Sequence, residues 1–130
     1  MGRRAEAIFD IESWDEKPWD DREGAKLTRT RVTKTFCGDL EGDSVAELLM
    51  VYLDALVAYL GFERFTGSLH GRAGSFVLKH DAVIAGSVPS ASWTVVPDSG
   101  SGELRGLRGE AKIAKGPDGR HTFTLDYHLE

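Results

Sequence analysis

The residues in this chain with types suited to proton transfer sit on predicted strands. In SFVLKHDA (75–82), a period of two places Phe76, Leu78 and His80 on one face and Ser75, Lys79 and Asp81 on the other. The His80 imidazole therefore points where the oily residues point. In GFERFTG (61–67), Glu63 and Arg64 fall on opposite faces, and Glu63 shares its side with Tyr59, Gly61 and Phe65. Glu47 lies between Val45 and Leu49 on the same basis. A carboxylate and an imidazole entering an apolar interior acquire shifted pKa values suited to general acid–base chemistry, which makes Glu63 and His80 the catalytic candidates. The competing reading is structural: a buried Glu63–Arg or Glu–Tyr pair that holds strands together.

Other chemistries find less support. His70, His80, His121 and His128 show neither H-E-x-x-H nor a Cys/His pair at ligand spacing, so no metal is expected. Asp126 and His128 share a strand face with Thr122 and Thr124, which reads as a solvated face. No G-x-S-x-G elbow surrounds any serine, and the single Cys37 has no recognisable His partner. The glycine-rich GSGELRGLRG (100–109) spaces its glycines as G-x-G-x-x-x-G, lacks a Walker lysine and precedes no helical pattern. Its glycines read as a bend and tight start of a strand, with Leu104 and Leu107 on the packed side and the arginines solvated. No cofactor is implied.

Composition narrows the partners. Sixteen Lys and Arg against 21 Asp and Glu leave a net charge of -5, which disfavours a nucleic-acid duplex and an anionic membrane surface. One cysteine cannot form an intramolecular disulfide, so the chain fits a reducing cytoplasm, with Cys37 expected as a buried or half-buried strand residue. Glu6, Asp10 and Glu12 interrupt the N-terminal region before a signal-peptide core can form. Asp54 and Glu63 break the most apolar window, so no transmembrane segment is expected. At 130 residues a single domain, 1–130, is expected.

The elements that must carry these groups are mostly strands. Ala7, Phe9 and Ile11 alternate with charged residues over 6–14, and 26–36 is rich in threonine and alternating cations, which we read as solubilising. DEKPWDDREGA (15–25) reads as a long loop, with Trp14 and Trp19 folding back as a lid. Gly38 to Asp43 has turn chemistry. The segment 45–60 fits a helix by its i, i+3, i+4 spacing, but apolar residues fill its remaining positions and a pair of buried strands fits equally. Strands over 58–69, 73–84, 90–96, 103–114 and 121–129, separated by turn signals, predict an all-β sandwich or barrel.

ESWDEKPWDD (12–21), LTRTRVTKTFCGDLEGDS (27–44), GFERFTGSLHGRAGSFVLKHD (61–81), ASWTVVPDSGSGELRGLRG (91–109) and TFTLDYHLE (122–130) together resemble a bacterial family, domain of unknown function three-two-two-four. That family is similar to the allene oxide cyclase and dirigent barrels. The resemblance implies a small antiparallel eight-stranded β-barrel around an apolar cavity and makes 45–60 a hairpin, although Leu53-Asp54-Ala55-Leu56 replaces a glycine-rich turn and Cys37 stands where a polar or small residue is expected. On this basis a hydrophobic small molecule is the expected partner, bound in the interior and turned over, if at all, by a cofactor-free cyclase or isomerase mechanism. Trp93, Tyr127, Phe76 and Phe123 are its expected walls, with Arg64 and Glu47 as further ligand contacts and Glu63 and His80 moving the proton. The alternative is a non-enzymatic barrel with a filled interior and an outer interaction surface. Apolar residues on both faces of 45–62 also point to a homodimer.

Overall fold

The computed structural model describes residues 2–86 and 88–130, with Val88 and Pro89 described by their backbone alone. The strands are β1 (Arg3–Arg22), β2 (Ala25–Gly38), β3 (Leu40–Tyr52), β4 (Leu56–Leu69), β5 (Arg72–Ala85), β6 (Val88–Val95), β7 (Ser101–Gly102), β8 (Leu107–Lys115) and β9 (His121–Leu129). All pairings are antiparallel: β1 through β6 join in sequence, β6 pairs with β8, β8 with β9, and β9 returns to β1. Eight strands thus close an all-β barrel, and the two-residue β7 is an extra strand beside Gly74 and Ser75 of β5. Closure pairs much of the strand edge that would otherwise invite pairing with other chains, leaving β1 beyond Phe9 bonded on one side only.

Period two explains which residues face inward. In β2 the even positions Thr28, Thr30, Val32, Lys34 and Phe36 are buried, while Arg29, Arg31 and Thr35 are exposed. Cys37 is also exposed, because it falls in the outward set; the expectation of a buried or half-buried thiol is corrected. In β3 the inward residues are Ser44, Ala46, Leu48 and Met50. Outside, Val45 and Leu49 are exposed. Apolar residues at both parities produced the apparent helical periodicity, and the segment is the hairpin β3–β4, turning at Leu53 to Ala55 with Leu53 N–H donating to Leu56 O at 2.8 Å.

The segment 15–25 is not a long loop. β1 continues to Arg22, pairs with β2 down to Arg22↔Ala25, and turns at Glu23-Gly24. Two register shifts, at Ile11/Ser13 and Pro18/Asp20, accommodate the irregular sequence. The first moves the inward set from Ala5, Ala7, Phe9 and Ile11 to Trp14 and Glu16. Pro18 is tolerated because β9 pairs with β1 only over Arg3–Phe9, so beyond that point one side of β1 needs no N–H.

One half of the barrel is solid. Phe9, Phe36, Phe65, Phe76 and Phe123 interlock, with ring centroids 5.2–5.6 Å apart. Leu40, Leu69, Leu104, Leu107 and Leu125 complete that half. Leu104 and Leu107 are fully buried, as the glycine-rich segment suggested, although residues 103–106 form a turn and β8 begins only at Leu107. Gly106 supplies a φ of 85° there, and its carbonyl accepts from Glu130 N at 3.1 Å. Arg105 is exposed, whereas Arg108 is half-buried between Asp98 and Glu130. The other half, around Val32, Ala46, Leu48 and Met50, is not filled.

Candidate functional site

At the level where solid core gives way to open interior, neighbouring strands bring four polar side chains together. Lys34 of β2, Ser44 of β3, Glu63 of β4 and His80 of β5 each fall in their strand's inward set, and all are buried. Glu63 is the hub. Its Oε1 accepts from Lys34 Nζ at 3.1 Å and from His80 Nε2 at 2.7 Å, and its Oε2 accepts from the Ser44 hydroxyl at 2.5 Å. Phe9 lies under the ammonium, 4.7 Å from ring centroid to Nζ.

The charge state of the hub follows from this geometry. Burial alone raises a carboxyl pKa, but here the hydrogen bond from His80, the Lys34 charge and the Ser44 hydroxyl reverse it, bringing Glu63 down to about 2. An ionised carboxylate only accepts, so the proton in the 2.7 Å contact belongs to His80 Nε2. Lys34 balances the negative charge of Glu63. With Nε2 directed at Glu63, Nδ1 is the ring nitrogen left for another partner.

Above this floor lies a cavity of about 280 Å³, partly open to solvent. Val32, Ala46, Leu48, Met50, Val57 and Ile84 form much of its apolar wall, and Lys34, Tyr59, His80 and Trp93 bring polar atoms to it. His80 lies between aromatic neighbours: its centroid is 6.4 Å from that of Tyr59 and 6.5 Å from that of Trp93, the latter edge-on. Burial raises the Tyr59 phenol, and the nearby Trp93 indole N–H opposes that rise. The indole and hydroxyl do not reach hydrogen-bond geometry, so among the described residues Trp93 Nε1 is a buried donor without a partner. Tyr59 Oη and His80 Nδ1 also accept no bond within the described residues, and both side chains line the cavity.

A second carboxylate ties down the mouth. Glu16 accepts from Tyr52 Oη at 2.5 Å, Thr28 Oγ1 at 2.7 Å and Trp14 Nε1 at 3.0 Å. Burial acts to raise Glu16, and these three donors bring it below the usual carboxylate range. Trp14 lines the cavity, while Trp19 points outward and is 62% exposed.

The sequence candidates divide accordingly. Glu63 and His80 are in direct contact, and Trp93 lines the cavity. Phe76, Phe123 and Tyr127 face inward but lie in the solid half, away from the cavity wall. Arg64 and Glu47 face outward and are exposed; the expectation that they enter the interior is corrected, since each has the parity opposite to Glu63 or Leu48 in its own strand. Glu47 instead lies 3.5 Å from Arg31 on the outer wall. Sequence reasoning missed Lys34, which it grouped with the solubilising cations of β2. The usable signal was parity: Lys34 shares its phase with Val32 and Phe36, while Arg29 and Arg31 have the other. Ser44, Tyr52 and Glu16 gave no comparable signal.

Comparison with known proteins agrees with the fold. A family model described as "Protein of unknown function (DUF3224)" matches residues 5–127. A crystal structure of a protein of unknown function from that family, from Shewanella oneidensis MR-1, is similar with a TM-score of 0.86 and 31% sequence identity, covering 100% of this chain and 99% of that one. Among curated proteins no match is found.

Proposed function

The chain belongs to the DUF3224 family of proteins of unknown function, and from that premise we propose that its barrel binds a lipophilic small molecule in the open half of its interior. The observation that carries this reading is the 280 Å³ cavity, apolar in its walls and polar only at a few points. Its size lies near the lower end of small-molecule sites, roughly 300 Å³ upward, and suits a ligand of on the order of ten non-hydrogen atoms. A wholly filled barrel would have no such space.

Trp14 and Trp93 line the cavity, so ligand occupancy is readable from tryptophan fluorescence. Hydrophobic compounds of that size are expected to quench it saturably and to raise the Tm, by roughly 10 °C at a hundredfold excess over Kd. Leu48→Trp, which fills the cavity from its wall, is expected to abolish both effects. A set of such compounds giving no response above solvent controls rejects the reading.

A second reading rests on the outer wall. Leu49, Leu60 and Phe62 are each about half exposed there, at 51%, 49% and 55%, and Leu49 and Leu60 are direct cross-strand partners. Exposed Arg29, Arg31 and Lys79 flank them together with Glu47 and Asp81. An apolar centre ringed by both signs of charge is self-complementary, and its occupant in this reading is a second copy of the chain.

A further inference from the structure

We infer that the cavity carries out a cofactor-free proton transfer on an enolisable, apolar carbonyl compound, with His80 Nδ1 as the base toward carbon and the Tyr59 hydroxyl as the donor toward oxygen. This deepens the small-molecule reading above and rests on it.

The assignment begins at the hub. Glu63 does not line the cavity; it stands behind His80, and the Lys34 ammonium and Ser44 hydroxyl occupy it from other directions. Its bond to Nε2 fixes the tautomer and ring orientation, so Glu63 is a positioning residue and Nδ1 is the atom presented to a ligand. Tyr59 stands beside it on the neighbouring β4, two residues from Gly61, the register partner of His80, and a neutral phenol donates a hydrogen bond. The two ring centroids are 6.4 Å apart with the planes tilted by 45°, so both side chains border the same part of the cavity and can meet one ligand there. Lys34 also lines the cavity, but its ammonium is paired with Glu63, which leaves the Tyr59 hydroxyl as the donor for the carbonyl oxygen.

The chemistry balances without a co-reactant. The bond between the α-carbon and its hydrogen breaks and the proton passes to Nδ1. The electron pair forms a carbon–carbon double bond, and the carbonyl π pair moves onto oxygen, held by the Tyr59 O–H. Return of the proton from Nδ1 to the α-carbon regenerates the compound; return to the γ-carbon of a β,γ-unsaturated carbonyl gives the conjugated isomer. Nothing is oxidised or reduced, and imidazole and phenol finish as they began. The apolar wall favours a neutral carbonyl over a carboxylate, since Lys34 is already balanced by Glu63 and a second buried anion would be uncompensated.

The test uses the full chain and 2-tetralone, a neutral ketone of suitable size with acidic hydrogens beside its carbonyl. In heavy water, proton NMR follows exchange at that carbon, while tryptophan quenching follows binding. Exchange is expected at least about a hundredfold above the buffer-catalysed rate, the usual scale of positioned acid–base catalysis. His80→Gln and Tyr59→Phe are each expected to lower it at least tenfold while 2-tetralone still quenches saturably. Saturable binding with exchange no faster than in buffer overturns the proton-transfer inference and leaves the binding reading standing. Exchange that survives in both variants likewise overturns the assignment of the two groups. Absence of any binding, by this ketone and by the wider set of hydrophobic compounds, removes both readings together.

Discussion

Glu63 is the residue on which the interior electrostatics turn. Its folded pKa of about 2, against an ordinary 4.5, means that the folded state holds the ionised form more strongly than the unfolded chain does. The sign follows: this stabilisation is fully present above about pH 4.5 and disappears as pH falls through 2. Its scale is about 3 kcal/mol, a large share of a domain's net stability. Glu63→Gln keeps the shape but leaves Lys34 buried beside a neutral amide, and breaking a buried pair in this way costs about 3–5 kcal/mol. Denaturant titrations between pH 7 and pH 3 are expected to show the wild type losing stability on acidification and the Gln variant starting lower with a flatter dependence. Equal slopes for the two proteins would show that Glu63 is not the group responsible. The burial of Glu63 and His80 was legible in the sequence, because each shares its phase with aromatic or aliphatic neighbours. The partner was not: a lysine beside threonines and arginines looks like surface until register places it over the Phe9 ring and against Glu63.

At the scale of the element, β1 determines how open the cavity is. Beyond Phe9 it is paired only to β2, and Trp14 and Glu16 hold it over the mouth through Tyr52 and Thr28. Burial and then the adjoining Glu16 push the Tyr52 phenol up to about 12 from an ordinary 10. A raised pKa in this acid stabilises the fold below pH 10, and the contribution is lost as pH rises through 12. Tyr52→Phe removes a hydrogen bond to an ionised acceptor, typically about 1.5–3 kcal/mol, while keeping the ring in place. Hydrogen exchange of the 14–22 amides is expected to quicken in this variant, with protection in β8 and β9 unchanged. Uniform loss of protection across the barrel would show instead that the contact belongs to global stability. This same element was the least legible part of the fold, since Pro18, Gly24 and a run of charges are ordinary loop chemistry. Only register shows that one bulge switches the inward face from Ile11 to Trp14 and that a free edge accommodates the proline. The short alternating strands of the second half were plain, whereas β3 and β4 were masked by the apolar residues on their outer faces.

At the scale of the whole molecule, those outer faces are what an isolated barrel does not explain. Leu49, Leu60 and Phe62 stand in the middle of a wall whose rim holds Arg29, Arg31, Glu47, Lys79 and Asp81. A stable interface buries roughly 800 Å² per partner, about a tenth of the 7833 Å² surface of this chain, which a patch spanning β2 to β5 can supply. Each copy carries a net charge of -5, but at physiological salt the screening length is only about 8 Å, so repulsion between distant charges does not outweigh contact at the patch. Sedimentation velocity is therefore expected to give a dimer at micromolar concentration. Phe62→Glu places a charge at the centre and is expected to yield a monomer that retains its Tm to within a few degrees and still binds cavity ligands, because Phe62 faces away from the interior. A wild-type chain that sediments as a monomer at high concentration removes the dimer and leaves the cavity readings untouched, since the two sites lie on opposite faces of the same strands.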